Sequence, residues 1–313
     1  MIALSDIEAA ARRIAPHIRR TPLLAATALR EPVSTAELFL KLECLQPTGS
    51  FKVRGATNRL LLTPAEDLPR GLATASGGNH GLAVARSGAL AGVPATIFVP
   101  RTISAEKLAK LRDWGATVRL EGAVWDEANV AARAFAAETG AVYIHPFGDT
   151  SVIAGQGTVA LEILEALPDL DVILVAIGGG GLVAGIASVL KALKPAVRIV
   201  GIEPVGSPTL RASLEKGAVT RLDAVTTRVA TMACGKTEEI VFEIARGAIS
   251  EIVLVEDEEM LEAARWLWRE MGLAADLSGA AALAAIRSGR LDLPPGAKVC
   301  ALVCGAGSEG IQA

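Results

Sequence analysis

Short apolar runs alternate with longer amphipathic stretches along most of this chain. Strand-like runs at Glu37 to Leu42, Leu72 to Ala75, Ala95 to Val99, Thr117 to Leu120 and Ala141 to Ile144 are separated by helical patterns. The predicted helices cover Lys52 to Leu62, Asn79 to Ala91, Ser104 to Trp114 and Val124 to Thr139, each near the length that a crossover between parallel strands needs. A second series adds helix Gly157 to Leu167, strand Val172 to Ile177, helix Leu182 to Lys194 and strand Arg198 to Ile202. Helices at Thr237 to Ala248, Glu258 to Met271 and Gly279 to Ser288 follow, and strand Lys298 to Val303 closes the series. Runs such as Val172 to Ile177 are apolar throughout, as two-sided burial in a parallel sheet requires. The pattern predicts an α/β protein with two open, mostly parallel sheets flanked by helices. At the start, Ser5-Asp6-Ile7-Glu8 has capping-box spacing before a helix from Glu8 to Ile18.

Composition narrows the picture. Hydrophobic residues make up 51% of the 313 positions but aromatics only 4%, so the interior must be Ala, Val, Leu and Ile, which suits helices packed on parallel strands. The net charge is −3 with Lys and Arg scattered, which leaves no electrostatic footprint for nucleic acid or an anionic membrane. A small-molecule partner is expected. The four cysteines form no CxxC pair, and Asp6 and Glu8 stand where a leader would be apolar, so reduced thiols in a cytoplasm are expected. Apolar segments such as Asp171 to Ile177 are too short to span a bilayer.

Ligands of open parallel sheets bind beyond the carboxyl ends of the strands, so the loops there carry the candidate chemistry. Pro47-Thr48-Gly49 delivers Ser50 as a helix N-cap and puts Lys52 in the first turn. Positive potential from the helix dipole and Arg54 would favour a neutral amine there, able to form a Schiff base; a solvated lysine is the plain alternative. Ser76-Gly77-Gly78-Asn79-His80-Gly81 opens a helix whose N–H groups, with Ser76 and Asn79, could hold a carboxylate, or Asn79 could simply cap the helix. His80 could act as a base or as an orienting hydrogen-bond partner. Gly178-Gly179-Gly180-Gly181-Leu182 presents N–H groups at another helix start, and without GxGxxG or GK[ST] spacing a monophosphate suits it better than a dinucleotide. Cys304 could offer a thiol hydrogen bond or fill a core position. Ala154-Gly155-Gln156-Gly157-Thr158 reads as a further glycine-rich helix entry.

Ser50-Phe51-Lys52-Val53-Arg54-Gly55-Ala56, Ser76-Gly77-Gly78-Asn79-His80, Gly178-Gly179-Gly180-Gly181-Leu182 and Ser278-Gly279-Ala280 together resemble the pyridoxal-phosphate enzymes of the threonine/serine dehydratase family. That family has the tryptophan-synthase-β-like fold, shared with serine racemase and cysteine synthase. The resemblance implies pyridoxal 5'-phosphate in a cleft between a large domain, residues 1–65 and 147–313, and a small domain, residues 66–146. Lys52 would hold the cofactor as a Schiff base and act as the catalytic base. Gly178, Gly179, Gly180, Gly181 and Leu182 would hold its phosphate, Phe51 would pack beside its ring, Asn79 would donate to its 3′ oxygen, and Cys304 would meet its ring nitrogen. Ser76, Gly77, Asn79 and His80 would receive the substrate carboxylate. The implied reaction removes water from threonine, serine or a related 3-hydroxy amino acid, giving a 2-oxo acid and ammonia, in a homodimer.

Departures from the family pattern qualify this. Racemases place a serine where this chain has Gly77, Asp276 stands for the family's glutamate, and Val229-Ala230-Thr231 replaces Ala-Asp-Gly. Thr209 stands where the cation site of some members pairs a second acid with Glu203, so no metal is expected. The residues after Cys304 also reach no regulatory domain, and no feedback control is expected. A serine racemase-like or cysteine synthase-like β-replacement enzyme and a non-catalytic anion binder are the alternatives. Trp266 and Trp268 suit either the core or a subunit interface.

Overall fold

The computed structural model describes residues 2–123 and 125–311, so the predicted helix start at Val124 lies outside the described residues. The larger sheet is built from β1 (Leu23–Ala25), β2 (Glu37–Lys41), β7 (Val172–Ala176), β8 (Arg198–Pro204), β9 (Glu251–Val255) and β10 (Lys298–Leu302), in the order β1-β2-β10-β7-β8-β9. Only the β1–β2 pair is antiparallel. The smaller sheet contains β3 (Leu72–Ala75), β4 (Ala95–Val99), β5 (Thr117–Leu120) and β6 (Val142–Tyr143), all parallel, in the order β5-β4-β3-β6. The expected α/β class with two largely parallel sheets is therefore observed. β7 is buried at every position, as its unbroken apolar run requires.

The helices are α1 (Leu4–Ile14), α2 (Lys52–Leu61), α3 (Asn79–Ala91), α4 (Ala105–Asp113), α5 (Trp125–Thr139), α6 (Thr150–Ala166), α7 (Gly181–Leu193), α8 (Thr209–Lys216), α9 (Glu239–Ala245), α10 (Asp257–Met271) and α11 (Leu277–Arg287). Two expectations about helix starts are corrected. α1 begins at Leu4 with Ala3 before it and no side-chain cap, so Ser5 and Glu8 lie inside the helix. α6 starts at Thr150, capped by Asp149, so Gly155 and Gly157 are interior rather than an entry. Their smallness serves packing: a Cβ on Gly155 would lie 2.6 Å from the Cα of Gly55 on α2. The two backbones thus meet at a glycine pair, and the helix bearing Lys52 is seated directly on α6.

β1, β9 and α8 have no counterpart among the predicted elements. Trp266 is buried, with its indole N–H on the Glu31 carbonyl at 3.0 Å, whereas Trp268 is exposed. Among the described residues no helix is long and apolar enough to cross a membrane.

Candidate active site

Lys52 is the first residue of α2, and Ser50 does not cap it. Ser50 is extended, pairs with Gly305 just beyond β10, and keeps a fully buried hydroxyl without a protein partner. The Phe51 amide bonds the Cys304 carbonyl at 3.2 Å, so the strand end at 304–305 locks the entry to α2. In the turn before it, Thr48 sits at φ +67°, a left-handed conformation that costs a β-branched residue about 1–2 kcal/mol. The Lys52 ammonium nitrogen lies 2.8 Å from the Pro146 carbonyl and 5.3 Å from the centroid of the Phe51 ring. Burial pushes the amine down to about 8.

Arg54 is not the source of that depression. It is fully buried in an ion cluster, where its guanidinium meets Glu43 through two 2.7 Å bonds, Glu162 at 2.7 Å and Thr158 at 3.0 Å. Lys41 completes the cluster, 2.6 Å from Glu162. Two cations thus face two carboxylates, and little positive potential is left over for Lys52.

The loop from β3 to α3 carries Ser76, Gly77 and Gly78. Its cap position is Gly78, not Asn79, and the Asn79 amide nitrogen instead reaches 3.0 Å to Asp276. His80 is buried with Nε2 3.0 Å from the Ile144 carbonyl, which makes Nε2 the protonated nitrogen and leaves Nδ1 buried without a partner. Burial, followed by the charge of Lys52, pushes its pKa down to about 3. His80 therefore stays neutral near pH 7, in keeping with an orienting group rather than a base.

The Gly178–Gly181 run follows β7 and leads into α7, whose first N–H groups have no acceptor within the helix. Gly180 takes φ +91°, and a Cβ on Gly179 would collide with the Phe147 ring. The run is therefore demanded by Phe147 packing as well as by room for an anion. Leu182 is buried in the core, so what it can offer a phosphate is its backbone N–H. Thr237 buttresses the loop through a 3.0 Å bond to the Gly179 carbonyl.

Cys304 is buried, and burial pushes its thiol well above the usual range, so it stays protonated. Its sulfur lies 3.8 Å from the Ser278 hydroxyl. Glu203 is also buried and pushed up to about 8 by burial. Its oxygens accept from the Leu210 and Arg211 amides at 2.8 and 2.9 Å, and the Thr209 hydroxyl bonds the Cys234 carbonyl. Among the described residues no group of three or more His, Cys, Asp or Glu could hold a metal ion.

The fold thus joins Lys52 and Phe51 to Cys304 on one side and to the Pro146–Phe147 loop and the glycine run on the other. Pro146 and Phe147 were missed by sequence reasoning. They follow the strand-like run Ala141 to Ile144, so the rule that pointed to the other loops also pointed there.

A family model described as pyridoxal-phosphate dependent enzyme matches residues 14–305. The chain belongs to the pyridoxal-phosphate dependent enzymes. Within that family, an L-threonine ammonia-lyase of Thermotoga maritima is 40% identical over 305 residues, 97% of this chain and 75% of the relative. The structure of maize serine racemase superposes with a TM-score of 0.93 at 33% identity, covering 98% of this chain and 94% of that one. The processed form of threonine deaminase isoform 2 from Solanum lycopersicum superposes with a TM-score of 0.90 at 32% identity, covering 97% of this chain and 88% of that one. Pyridoxal phosphate suits the residues present: the glycine run offers unpaired N–H groups to a phosphate, and Lys52 offers an amine that is partly neutral near pH 8.

Proposed function

We infer that this protein is a pyridoxal-phosphate-dependent ammonia-lyase that removes water from threonine, serine or a related 3-hydroxy amino acid, giving a 2-oxo acid and ammonia. The observation that carries elimination over racemisation is at Gly77. It supplies no proton-transfer group, and a Cβ there would lie 3.0 Å from Ile103 and 3.7 Å from Val99. Lys52 is then the one group assigned to move a proton at the substrate Cα.

In this reading Lys52 holds the cofactor and, once displaced by substrate, takes the Cα proton on its Nζ. The Pro146 carbonyl accepts a hydrogen bond from that nitrogen while it is free. Gly178 to Leu182 hold the phosphate through backbone N–H groups, and Phe51 packs beside the ring. Ser76, Gly77, Asn79 and the backbone N–H of His80 would receive the substrate carboxylate, while the Ile144 carbonyl holds the His80 ring, whose free Nδ1 is an acceptor. Asn79 would donate to the ring oxygen, and the neutral Cys304 thiol would stand at the ring nitrogen. The cofactor, when bound, supplies the electron sink that makes the Cα proton removable. A homodimer is inferred from the family resemblance, and a cytoplasmic location from the unpaired cysteines and the polar start of the sequence.

The test is a panel of L-threonine, L-serine and 3-hydroxy amino acids bearing aryl or carboxyl groups, offered to the purified holoenzyme. Keto acid and ammonia are expected in equal amounts from at least one substrate, with D-enantiomer formation at about one-hundredth of that rate or less. Absence of keto acid from every member would overturn the assignment.

The Lys52 amine makes a separate prediction. Only the neutral amine attacks an aldehyde, so the rate of pyridoxal phosphate uptake by cofactor-free protein should rise with pH, pass its half-maximum near pH 8 and level off about one pH unit above. An ordinary lysine would reach its half-maximum only at about pH 10. Rapid mixing followed at the visible band measures the difference.

A further inference from the structure

Asp276 is the residue where this chain departs from its family's glutamate, and its two carboxylate oxygens do separate things. Oδ1 caps α11, accepting from the Gly279 amide at 2.6 Å and the Ser278 hydroxyl at 2.7 Å. Oδ2 accepts from the Asn79 amide at 3.0 Å, across 197 residues of sequence, on a helix of the other sheet. Since the Ser278 hydroxyl hydrogen is directed at Asp276, the Ser278 oxygen is left to accept from the Cys304 thiol at 3.8 Å. One chain of hydrogen bonds therefore runs from Asn79 through Asp276 and Ser278 to Cys304, with every donor pointing toward the carboxylate.

The surroundings hold Asp276 in place. Its amide bonds the Gly305 carbonyl at 3.0 Å, a Cβ on Gly305 would collide with its carboxylate, and a Cβ on Gly307 would lie 2.7 Å from its Cα. Helix capping alone does not explain an aspartate here, because serine, threonine and asparagine cap about as well. The second oxygen is what a shorter or amide side chain cannot reproduce.

We propose that Asp276 is a positioning residue that sets the hydrogen-bond direction of both Asn79 and Cys304, the side chains assigned to the ring oxygen and ring nitrogen of the cofactor. The proposal rests on that assignment of the site. With one amide hydrogen on Asp276, the Asn79 carboxamide cannot flip, and its other hydrogen remains for the ring oxygen. The thiol hydrogen is committed to Ser278, and the neutral sulfur offers the ring nitrogen no negative charge that would hold a proton there. Three converging donors favour the ionised carboxylate that this arrangement needs. Burial pushes the other way, raising the carboxyl above its usual value.

The test uses D276N, with D276S as a second variant that keeps the cap but reaches no donor on α3. Both should melt within a few degrees of the parent. Both should bind pyridoxal phosphate about tenfold more weakly, the effect of losing one hydrogen bond to a charged acceptor, and show a shifted visible band. In an N79A background the further loss of affinity on adding D276N should be less than about twofold while the visible band still shifts, because the affinity passes through the Asn79 bond and the band reports the Cys304 arm. Parent affinity with an unchanged band, losses that multiply in the double variant, or a loss that merely follows melting temperature would each overturn the proposal. A parent protein that takes up no pyridoxal phosphate would instead defeat the assignment of the site, and that result needs no variant to detect.

Discussion

A Lys52→Ala protein is expected to lose turnover of 3-hydroxy amino acids by about a thousandfold or more while remaining folded. The expected size follows from removing both the covalent anchor and the group that moves the Cα proton, since a positioned base alone is worth roughly 10²–10⁴. Folding should not suffer, because the parent holds a part-buried amine whose pKa burial has already driven down to about 8, and alanine removes that desolvation cost. Keto-acid formation measures the first effect. Borohydride treatment followed by mass measurement adds a second readout: the parent should retain the reduced cofactor on the peptide containing Lys52, and the variant should retain none. A variant that eliminates water at the parent rate would remove Lys52 from the mechanism.

The second large effect is expected two residues away, on stability. In Arg54→Ala the Glu43 carboxylate, wholly buried, loses both of its 2.7 Å guanidinium bonds and keeps only the Thr21 hydroxyl at 2.6 Å as a direct side-chain donor. Breaking one side of a buried pair typically costs about 3–5 kcal/mol, which for a chain of this size lowers the melting temperature by about 5–8 °C. The pH dependence gives the signature. Burial pushes the Glu43 carboxyl up, but the charge and hydrogen bonds of Arg54 outweigh it and hold the group below the usual carboxylate range. In the parent, then, the pair stabilises the fold above that range and the benefit is lost as pH falls through the folded value. In the variant burial is opposed only by the Thr21 hydroxyl and the charge of Lys41, Glu43 is accommodated more readily when protonated, and the deficit against the parent should shrink as pH falls. Adding Glu43→Gln should recover part of the loss at neutral pH. A melting temperature within about 2 °C of the parent would show that the cluster relaxes or admits water.

The two residues illustrate how different kinds of information are written into one heptapeptide. Lys52 was legible because its signal is local: an apolar strand, a turn and a helical pattern place it at a strand end, and the glycine run 178–181 makes sense of it. The physical reason offered for its reactivity was nevertheless incomplete. Positive potential from Arg54 was expected, whereas Glu43 and Glu162 neutralise Arg54 and burial lowers the amine. Ser50 shows the same limit. A serine before a helical pattern reads as a cap, but pairing with Gly305 pulls it into an extended conformation, and that partner lies at the far end of the chain.

Glycines divide along the same line. Consecutive glycines after an apolar strand announce themselves as a loop, and Gly178 to Gly181 do form one between β7 and α7. Gly155 and Gly157 carried the same composition but serve helix crossings, and nothing within a few residues of them distinguishes a loop from a contact between two helices.

By itself, then, the sequence determined the elements with strong periodicity, the parallel sheets that unbroken apolar strands require, and the loops where a lysine, a phosphate and a carboxylate could meet. These follow from propensity and spacing, which act over one or two turns of chain. Only the tertiary structure decided which groups face one another. It closed the Arg54 cluster from four segments, seated Phe147 against Gly179, and brought the second oxygen of Asp276 to Asn79. Each of those contacts joins residues far apart in sequence, and depends on helix and strand positions that no local pattern encodes.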